Sequence, residues 1–433
     1  MTSDVRTDPY WWEAAPPRRL DPAPVAEACD VAVVGAGYTG LSAALTIARA
    51  GRSVQVFDRQ RPGEGASSRN GGMASGHLRT SFGKMIQTAG LERAKAVYGE
   101  GAEAREFLHK FIAEEGIECD LQSTGRVAGA FHPEHVDHFR RESELLNTHL
   151  GLETRVLDRQ QVRDEIGNEL YHGGMLHPDI GGLHPAKYVD GLLERVLDAG
   201  AAVHGETAIN GVRRDGDAFE LDSARGRVRA RDVIMATNGY TDHVDPWLCR
   251  QLVPAMSRIV ATEPLSPNLI KKLIPQGRML GETRRIYHYF RTSPDGKRIL
   301  MGGRETGTGQ NPALATENLR RDMIEIFPDL AEVDITHSWN GTVAFNLDFL
   351  PRLFVRDGIH YSVGYCGSGV VWATWLGRKA ALRLLGDAEG DSAFACDRPT
   401  PVPVPFYSGN PWFLPATFAW FRLQDRFKFL RGS

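Results

Sequence analysis

A glycine-rich turn between a strand and a helix constrains the possible folds of this chain more than any other feature. The turn is Gly35-Ala36-Gly37-Tyr38-Thr39-Gly40, and it lies between the apolar run DVAVV and the helix-like run LSAALTIARAG. A second strand-like run, SVQVFD, ends at Asp58. This order of strand, turn, helix and strand predicts a doubly wound, parallel α/β domain that binds a dinucleotide.

The glycines and the acid of this unit have distinct expected roles. Gly35 allows the tight turn, Gly37 lets the backbone approach a pyrophosphate, and Gly40 lets the helix pack closely on the strand. The helix N-terminus would present N–H groups and a positive dipole to the phosphates. Asp58 would accept hydrogen bonds from ribose hydroxyl groups. NAD and FAD both fit such a fingerprint, and a plain glycine-rich turn is the alternative.

Two later segments favour FAD. VIMATNGY ends an apolar strand in small residues, which suits a backbone that lies near a cofactor. YCGSGVVWATWLG places a second Gly-x-Gly turn before a helix. A cofactor with two polar ends, the pyrophosphate and a ring that becomes anionic on reduction, can use both helix N-termini. An NAD enzyme stays the alternative, and either segment could be an ordinary structural turn.

Composition and charge limit the class of protein. The 433 residues are 42% hydrophobic and carry a net charge of −3, which argues against a nucleic-acid partner or an anionic membrane. The five cysteines are an odd number without a CxxC pair, which fits neither a disulfide framework nor a zinc site. The N-terminus lacks the apolar region of a signal peptide, and no apolar run approaches the roughly 20 residues that span a bilayer. We expect a soluble, cytoplasmic protein without a metal site.

The order of strand-like and helix-like runs predicts two interleaved domains. One is an FAD-binding, doubly wound Rossmann-like α/β domain, and the other is a β-rich α+β substrate domain. The aromatic and basic tail is expected to dock on its own domain, with a membrane surface as the alternative. The predicted segments are an N-terminal arm (1–26), three FAD-binding parts (27–80, 184–248 and 355–390), a helical and substrate part (81–183), the β-rich substrate part (249–354) and the tail (391–433).

Taken in order, these motifs resemble the D-amino-acid-oxidase superfamily of flavin oxidoreductases, which includes glycine oxidase and monomeric sarcosine oxidase. Within it, the chain is similar to the gamma-glutamylputrescine oxidoreductase-like branch. The resemblance extends over nearly the whole chain and implies a glycine or sarcosine oxidase-like fold. The matching segments are DVAVVGAGYTGLSAAL, GEGASSRNGGM, HPAKYVDGLL, VIMATNGYTD, VATEPL, ILMGGR, FNLDFLP and GYCGSGVVWATWLG.

GEGASSRNGGM has four glycines in eleven residues, a composition that suits neither a helix nor a strand. In the superfamily, the matching segment passes beside the FAD pyrophosphate and ribityl chain and reaches the isoalloxazine ring. Arg69 would offset charge at the phosphates or the reduced ring; a solvated loop is the alternative. The complete set of predicted cofactor-binding residues is Gly35, Gly37, Tyr38, Thr39, Gly40, Asp58, Arg59, Ala66, Ser67, Arg69, Asn70, Gly71, Gly72, Met73, Ile209, Ala236, Thr237, Asn238, Gly367, Ser368, Gly369 and Val370.

The resemblance implies oxidation of a C–N bond, with a hydride equivalent passing to flavin N5 and water hydrolysing the imine. The expected substrate is a small amine of the polyamine or gamma-glutamyl-amine type. An amino acid or N-methyl amino acid (glycine, sarcosine or D-amino acid type) is the alternative, and a non-enzymatic FAD-binding protein is a further one. The electron acceptor is oxygen or another acceptor.

Candidate substrate groups come from the β-rich part. In RRIYHYFR, a period of two places Tyr287 and Tyr289 on one face, where they would form an aromatic wall for an amine, and His288 on the other. These tyrosines could equally be ordinary sheet aromatics. The predicted catalytic residues are His77, Tyr287 and Tyr289. The predicted substrate-binding residues are His288, Arg258, Arg304 and Trp339, with the two arginines as carboxylate ligands.

Two departures from monomeric sarcosine oxidase affect these expectations. That enzyme has a lysine near flavin N5 that promotes reaction with oxygen, and Leu300 takes its place here. A dehydrogenase therefore stays open beside an oxidase. The cysteine that bonds to flavin in that enzyme has no counterpart in NGTVAFN, so FAD is expected to bind non-covalently. Cys366 could form such a bond, but a small buried thiol is the favoured role.

Overall fold

The computed structural model describes residues 5–305 and 311–426. Strands and helices alternate over that length. The strands are β1 Ala28–Val34, β2 Val54–Phe57, β3 Met73–Ala74, β4 Arg126–Gly129, β5 Arg155–Leu157, β6 Gly174–His177, β7 Gly181–Gly182, β8 Ala202–His204, β9 Ile209–Asp215, β10 Ala218–Ser223, β11 Gly226–Met235, β12 Val253–Thr262, β13 Met279–Glu282, β14 Tyr289–Thr292, β15 Ile299–Arg304, β16 Ile335–Phe345, β17 Arg352–Arg356 and β18 Ile359–Val363. The α-helices are α1 Tyr38–Arg49, α2 Ala66–Arg69, α3 Phe82–Ala89, α4 Leu91–Glu114, α5 Pro133–Leu150, α6 Arg159–Glu165, α7 Pro185–Asp198, α8 Pro246–Cys249, α9 Pro267–Leu273, α10 Pro312–Ile326, α11 Gly369–Leu385 and α12 Leu414–Arg426.

The first sheet is assembled from three separate parts of the chain. Its strand order is β17-β18-β11-β1-β2-β8, and the β9–β10 hairpin joins it at β11. The pairs β1–β2, β1–β11, β2–β8 and β11–β18 are parallel. Strand β1 is apolar without alternation and is buried from Val31 to Val34, as expected where both faces of a parallel strand are covered. This sheet brings the first and the last glycine-rich turns to one side of the molecule.

The second sheet provides the β-rich part. Its strand order is β16-β12-β15-β14-β13-β4-β6-β5. Strands β4 to β6 come before β8–β11 of the first sheet in the sequence and strands β12 to β16 come after them, and the two groups join where β4 pairs with β13. Most neighbours are antiparallel; β4 and β13 are parallel. The register places Ser257 opposite Arg304 and Ile259 opposite Trp339. The alternating pattern predicted that Tyr287, His288 and Tyr289 lie in one strand. Strand β14 begins only at Tyr289, so Tyr287 and His288 precede it.

The C-terminal helix α12 docks on the β-rich part. The carboxylate of Asp425 accepts hydrogen bonds from the backbone N–H groups of Arg285 (3.0 Å) and Ile286 (3.3 Å). Residues 427–433 of the predicted tail lie outside the described residues. Within residues 5–305 and 311–426, no helix combines the length and the apolar character needed to cross a bilayer.

Candidate active site

A cavity of about 490 Å³ is lined by residues from both sheets. Its volume is in the range of small-molecule and cofactor sites. The turn before α1, the segment from 63 to 79, the residues after β11 and the turn before α11 all contribute to its wall. The glycine-bearing turn before α1, the segment 63–79 and the turn before α11 are far apart in the sequence but converge on one cavity.

The first turn has room only for glycine at its key positions. Gly35 has φ 106°, and a Cβ there would lie 2.9 Å from the carbonyl oxygen of Ala236. A Cβ on Gly37 would lie 2.8 Å from Oγ of Ser67. Gly40 lies behind the cavity wall, where a Cβ would overlap the carbonyl oxygen of Gly35. Gly40 therefore allows α1 to pack closely on the turn and, unlike the other glycines predicted for this turn, does not line the cavity.

Asp58 and Arg59 lie at one end of the cavity. The Asp58 carboxylate accepts hydrogen bonds from the N–H groups of Ala36 (2.7 Å) and Gln60 (2.9 Å). Burial raises the pKa of this carboxyl to about 6. Arg59 forms an ion pair with Asp242. A buried acid whose remaining lone pairs face a cavity is suited to ribose hydroxyl groups, which supply neutral donors.

The segment 63–73 forms the adjoining wall through α2. The hydroxyl of Ser67 accepts the backbone N–H of Tyr38 at 3.0 Å, which ties α2 to the start of α1. A Cβ on Gly71 would lie 2.7 Å from the ring of Tyr289. Gly72, predicted as a cofactor contact, lies outside the cavity wall, and its carbonyl accepts a hydrogen bond from the Arg291 guanidinium.

The turn before α11 closes the cavity from the other side. Cys366 and Gly367 have φ 53° and 103°, so the backbone takes a left-handed path at both. The side chain of Asn238 accepts the N–H of Gly364 at 2.9 Å and joins this turn to the residues after β11. Burial raises the pKa of the Cys366 thiol to about 11, which keeps it protonated at neutral pH.

Tyr287 and Tyr289 line the opposite end, with ring centroids 6.1 Å apart and planes 26° from parallel. The Arg126 guanidinium donates to the Tyr287 hydroxyl at 2.9 Å. The Tyr289 hydroxyl lies 3.4 Å from Oγ of Ser257. The two tyrosines therefore lie side by side in the cavity wall, although Tyr287 precedes strand β14.

Besides Arg59 and Arg69 of the predicted cofactor set, three arginines line the cavity: Arg79, Arg126 and Arg304. Among the residues that the structure describes, none of them forms an ion pair with a carboxylate. The guanidinium of Arg304 lies 4.5 Å from the ring centroid of Phe345. Burial and the charge of Arg79 lower the pKa of Arg304 to about 10. This concentration of positive charge is electrostatically suited to an anionic group.

His77 lines the cavity and is neutral at pH 7. Burial and the positive charges of Arg126 and Arg105 lower its pKa well below the usual range. Its ring contacts that of His177 edge to face, 4.3 Å between centroids. The hydroxyl of Ser368 donates to the His77 carbonyl at 2.6 Å, so this residue is fixed to the late turn.

Three of the four predicted substrate-binding residues lie outside the cavity wall: His288, Arg258 and Trp339. Arg258 lies in β12 between Ser257 and Ile259, which line the cavity, so its side chain is on the other face of the sheet. Trp339 pairs with Ile259 and is on the same face of the sheet as the cavity, but it packs in a buried cluster with Trp11 and Leu300. His288 precedes β14 and does not line the cavity. Their positions therefore do not support the predicted substrate contacts, and of the four residues Arg304 alone lines the cavity.

Each of the three has another role. His288 lies between Glu282 (2.5 Å) and Asp322 (3.1 Å), which raise its pKa to about 9 despite burial. Arg258 pairs with the buried Glu305 at 3.2 Å. Leu300, the position at issue for the electron acceptor, is also outside the wall, in a buried cluster with Trp339.

The remaining predicted residues do line the cavity. They are Gly35, Gly37, Tyr38, Thr39, Asp58, Arg59, Ala66, Ser67, Arg69, Asn70, Gly71, Met73, Ile209, Ala236, Thr237, Asn238, Gly367, Ser368, Gly369 and Val370 from the cofactor set, His77, Tyr287 and Tyr289 from the catalytic set, and Arg304 from the substrate-binding set. Sequence reasoning missed Arg79 and Arg126, because neither lies in a motif and their convergence depends on the tertiary fold.

Comparisons with known proteins agree with this geometry. Residues 30–383 match the family model DAO, described as FAD dependent oxidoreductase. The chain is 31% identical to the probable oxidoreductase OrdL of Rhizobium meliloti over 96% of this chain and 97% of that protein. It is 30% identical to gamma-glutamylputrescine oxidoreductase of Escherichia coli over 92% of this chain and 93% of that protein.

The fold is that of glycine oxidase. The crystal structure of glycine oxidase from Geobacillus kaustophilus superposes with a TM-score of 0.70 at 20% identity, over 88% of this chain and 99% of that one. The predicted fold class is confirmed, and FAD rather than NAD is the cofactor. This chain therefore belongs to the DAO family of FAD-dependent oxidoreductases.

Proposed function

We propose that the protein oxidises a C–N bond in a small amine that also carries a carboxylate, of the gamma-glutamyl-amine type. FAD, when bound, accepts the hydride equivalent from the carbon next to nitrogen. Asp58 would hold the ribose at one end, the turn before α1 would receive the pyrophosphate, and the space beside Tyr289 would receive the ring. The main cavity has suitable groups for each of these parts.

The observation that carries the proposal is the group of three cavity arginines that form no ion pair with a described carboxylate and lie outside the predicted cofactor set: Arg79, Arg126 and Arg304. Burial of the Arg304 guanidinium without a counterion is unfavourable, and a bound carboxylate would relieve this cost. Arg79 is exposed and adds positive charge beside it. A polyamine, which has several positive charges and no carboxylate, would be repelled by Arg79 and Arg304. Of the substrate types expected from the sequence, those with a carboxylate are therefore favoured.

The same charges favour the reactive form of the amine. Hydride transfer requires a neutral nitrogen, and nearby positive charge lowers the pKa of an ammonium group. His77 is buried and has a pKa well below the usual range, so it is a weak base. The proton would therefore leave to water, while Tyr287 and Tyr289 provide a ring face that orients the substrate.

The relative named gamma-glutamylputrescine oxidoreductase supports a gamma-glutamyl amine as the first candidate. An amino acid or N-methyl amino acid is the second, because it also presents a carboxylate to Arg304. Each of the five cysteines lies in the described part of the chain and is a free thiol, which supports a reducing cytoplasm as the location.

Anaerobic mixing of the purified holoprotein with a substrate panel tests the proposal. The panel contains gamma-glutamyl amines, the corresponding polyamines, amino acids and N-methyl amino acids. We expect gamma-glutamyl amines to bleach the visible flavin absorbance, with the matched polyamines at least about 10-fold less efficient. Bleaching by polyamines alone would contradict the carboxylate requirement, and no bleaching by any amine would support a non-enzymatic FAD protein.

Product analysis and readmission of oxygen separate the remaining choices. An aldehyde plus a free amine indicates an amine substrate, whereas an oxo acid plus ammonia indicates an amino acid. Rapid return of the flavin absorbance in air would identify an oxidase, and slow return would identify a dehydrogenase that uses another acceptor.

A further inference from the structure

The short helix α2, which forms part of the cofactor wall, is held from behind by indole groups. Its residues Ala66, Ser67 and Arg69 line the cavity, but Ser68 faces away and is buried. Three indole N–H groups donate to three consecutive residues: Trp12 to Oγ of Ser68 (3.0 Å), Trp339 to the carbonyl of Arg69 (2.8 Å) and Trp11 to the carbonyl of Asn70 (2.8 Å).

Two of these tryptophans belong to the N-terminal arm, which lies outside the dinucleotide fold. Trp11 is fully buried and contacts Trp339 edge to face, with 6.5 Å between centroids. The guanidinium of Arg69 lies 4.5 Å from the ring centroid of Trp12. The arm is fixed in turn to strand β16, because the N–H of Arg6 donates to the carbonyl of Thr336 at 2.9 Å.

The indoles satisfy groups that a four-residue helix leaves without partners. The last carbonyls of a helix have no intrahelical donors, and here Trp339 and Trp11 supply them. The side chain of Asn70 donates to the carbonyls of Ala66 (3.1 Å) and Ser67 (2.9 Å). These hydrogen bonds all lie within the protein, so they hold α2 without requiring a ligand in the cavity.

We propose that Trp11, Trp12 and Trp339 form an indole clamp that preorganises the segment 66–71 for FAD, so that the N-terminal arm is a positioning element of the cofactor site. Preorganisation removes an ordering cost that would otherwise oppose binding. The proposal rests on FAD occupying the main cavity, as set out under the proposed function.

Tryptophan-to-phenylalanine variants of the full chain test the clamp, because they keep an aromatic ring and remove the N–H donor. FAD release from the diluted holoprotein, followed by flavin fluorescence, gives the dissociation constant, and visible circular dichroism reports the environment of the bound ring. We expect Trp11→Phe and Trp12→Phe each to raise the FAD dissociation constant about 2- to 10-fold and to alter the visible dichroism.

Trp375→Phe is the matched control. Trp375 is buried, and its N–H donates to Glu100 at 2.7 Å, away from α2. An unchanged dissociation constant in Trp12→Phe, or a change no larger than in Trp375→Phe, overturns the proposal. Trp12 is only half-buried, so its variant remains informative if Trp11→Phe does not fold. Asp58→Asn separates the placement of FAD in the main cavity from the clamp. If this variant also leaves the FAD dissociation constant unchanged, the placement of FAD is wrong, and not the clamp alone.

Discussion

The hydroxyl groups of Thr39 and Tyr365 lie 2.7 Å apart and join the first glycine-rich turn to the last. Thr39 lies in the first turn of α1, and Tyr365 precedes α11. Both are buried, and Tyr365 also bonds to the carbonyl of Ser362 at 2.8 Å. The two turns are thus parts of one rigid wall, which explains how distant segments hold a single elongated cofactor.

Asp58→Asn should weaken FAD binding while changing the pH dependence of the flavin-free protein. The folded pKa of this carboxyl is raised from 3.8 to about 6, so the folded state binds more protons over that interval and loses stability as pH rises through it. The shift corresponds to about 3 kcal/mol at most. Unfolding of both apoproteins by denaturant should show this loss between pH 4 and pH 6 in the parent only. A parallel pH dependence in both proteins would contradict the assignment.

Arg304→Gln should lower kcat/KM for carboxylate-bearing amines about 10- to 100-fold, because it removes a charge-assisted contact. The loss should be much smaller for an analogue that carries an amide in place of the carboxylate. Arg356→Gln is the control, since Arg356 also stacks on an aromatic ring, at 4.4 Å from the centroid of Trp247, but outside the cavity. Equal losses of kcat/KM for the carboxylate substrate and its amide analogue would show that Arg304 does not bind the substrate carboxylate.

The sequence predicts the cofactor turn of this site better than its substrate groups. The turn before α1 was predictable because its strand, glycines and helix are contiguous in the sequence, although the groups that require Gly35 and Gly37 to lack a side chain, Ala236 and Ser67, come from other segments. The period of two placed Tyr287 with Tyr289 and opposite His288; both tyrosines do line the cavity and His288 does not, but Tyr287 and His288 precede strand β14. Periodicity cannot say which face meets a cavity, so the charged side chains of His288 and Arg258 suggested function although they belong to buried ionic contacts.

The arginines and the indole clamp depend on long-range contacts. Arg126 lies at the start of β4, far in sequence from the tyrosine to which it donates. Trp11 reaches Asn70 across the boundary between the arm and the cofactor domain. No local pattern encodes such contacts, because each residue alone resembles an ordinary surface arginine or core tryptophan.

FAD should be released intact when the protein is denatured with acid or heat. The buried Cys366 thiol has a pKa of about 11, so the nucleophilic thiolate is scarce at neutral pH. Separation of supernatant and precipitate, with flavin absorbance measured in each, checks this for the parent and for Cys366→Ser. We expect free FAD from both. Flavin retained by the parent precipitate and lost from that of the variant would instead identify a covalent bond at Cys366.

The pH dependence of kcat/KM should follow the substrate amine and not His77. Because burial and neighbouring arginines hold the pKa of His77 well below its usual range, this ring stays neutral throughout the working pH interval. The rate should therefore rise with pH to a plateau, and its apparent pKa should move with the amine pKa across a series of substrates. His77→Asn should change the height of the plateau without moving the apparent pKa. Stopped-flow measurement of anaerobic flavin reduction across pH makes the comparison, and an apparent pKa that disappears in His77→Asn would instead show that His77 accepts the substrate proton.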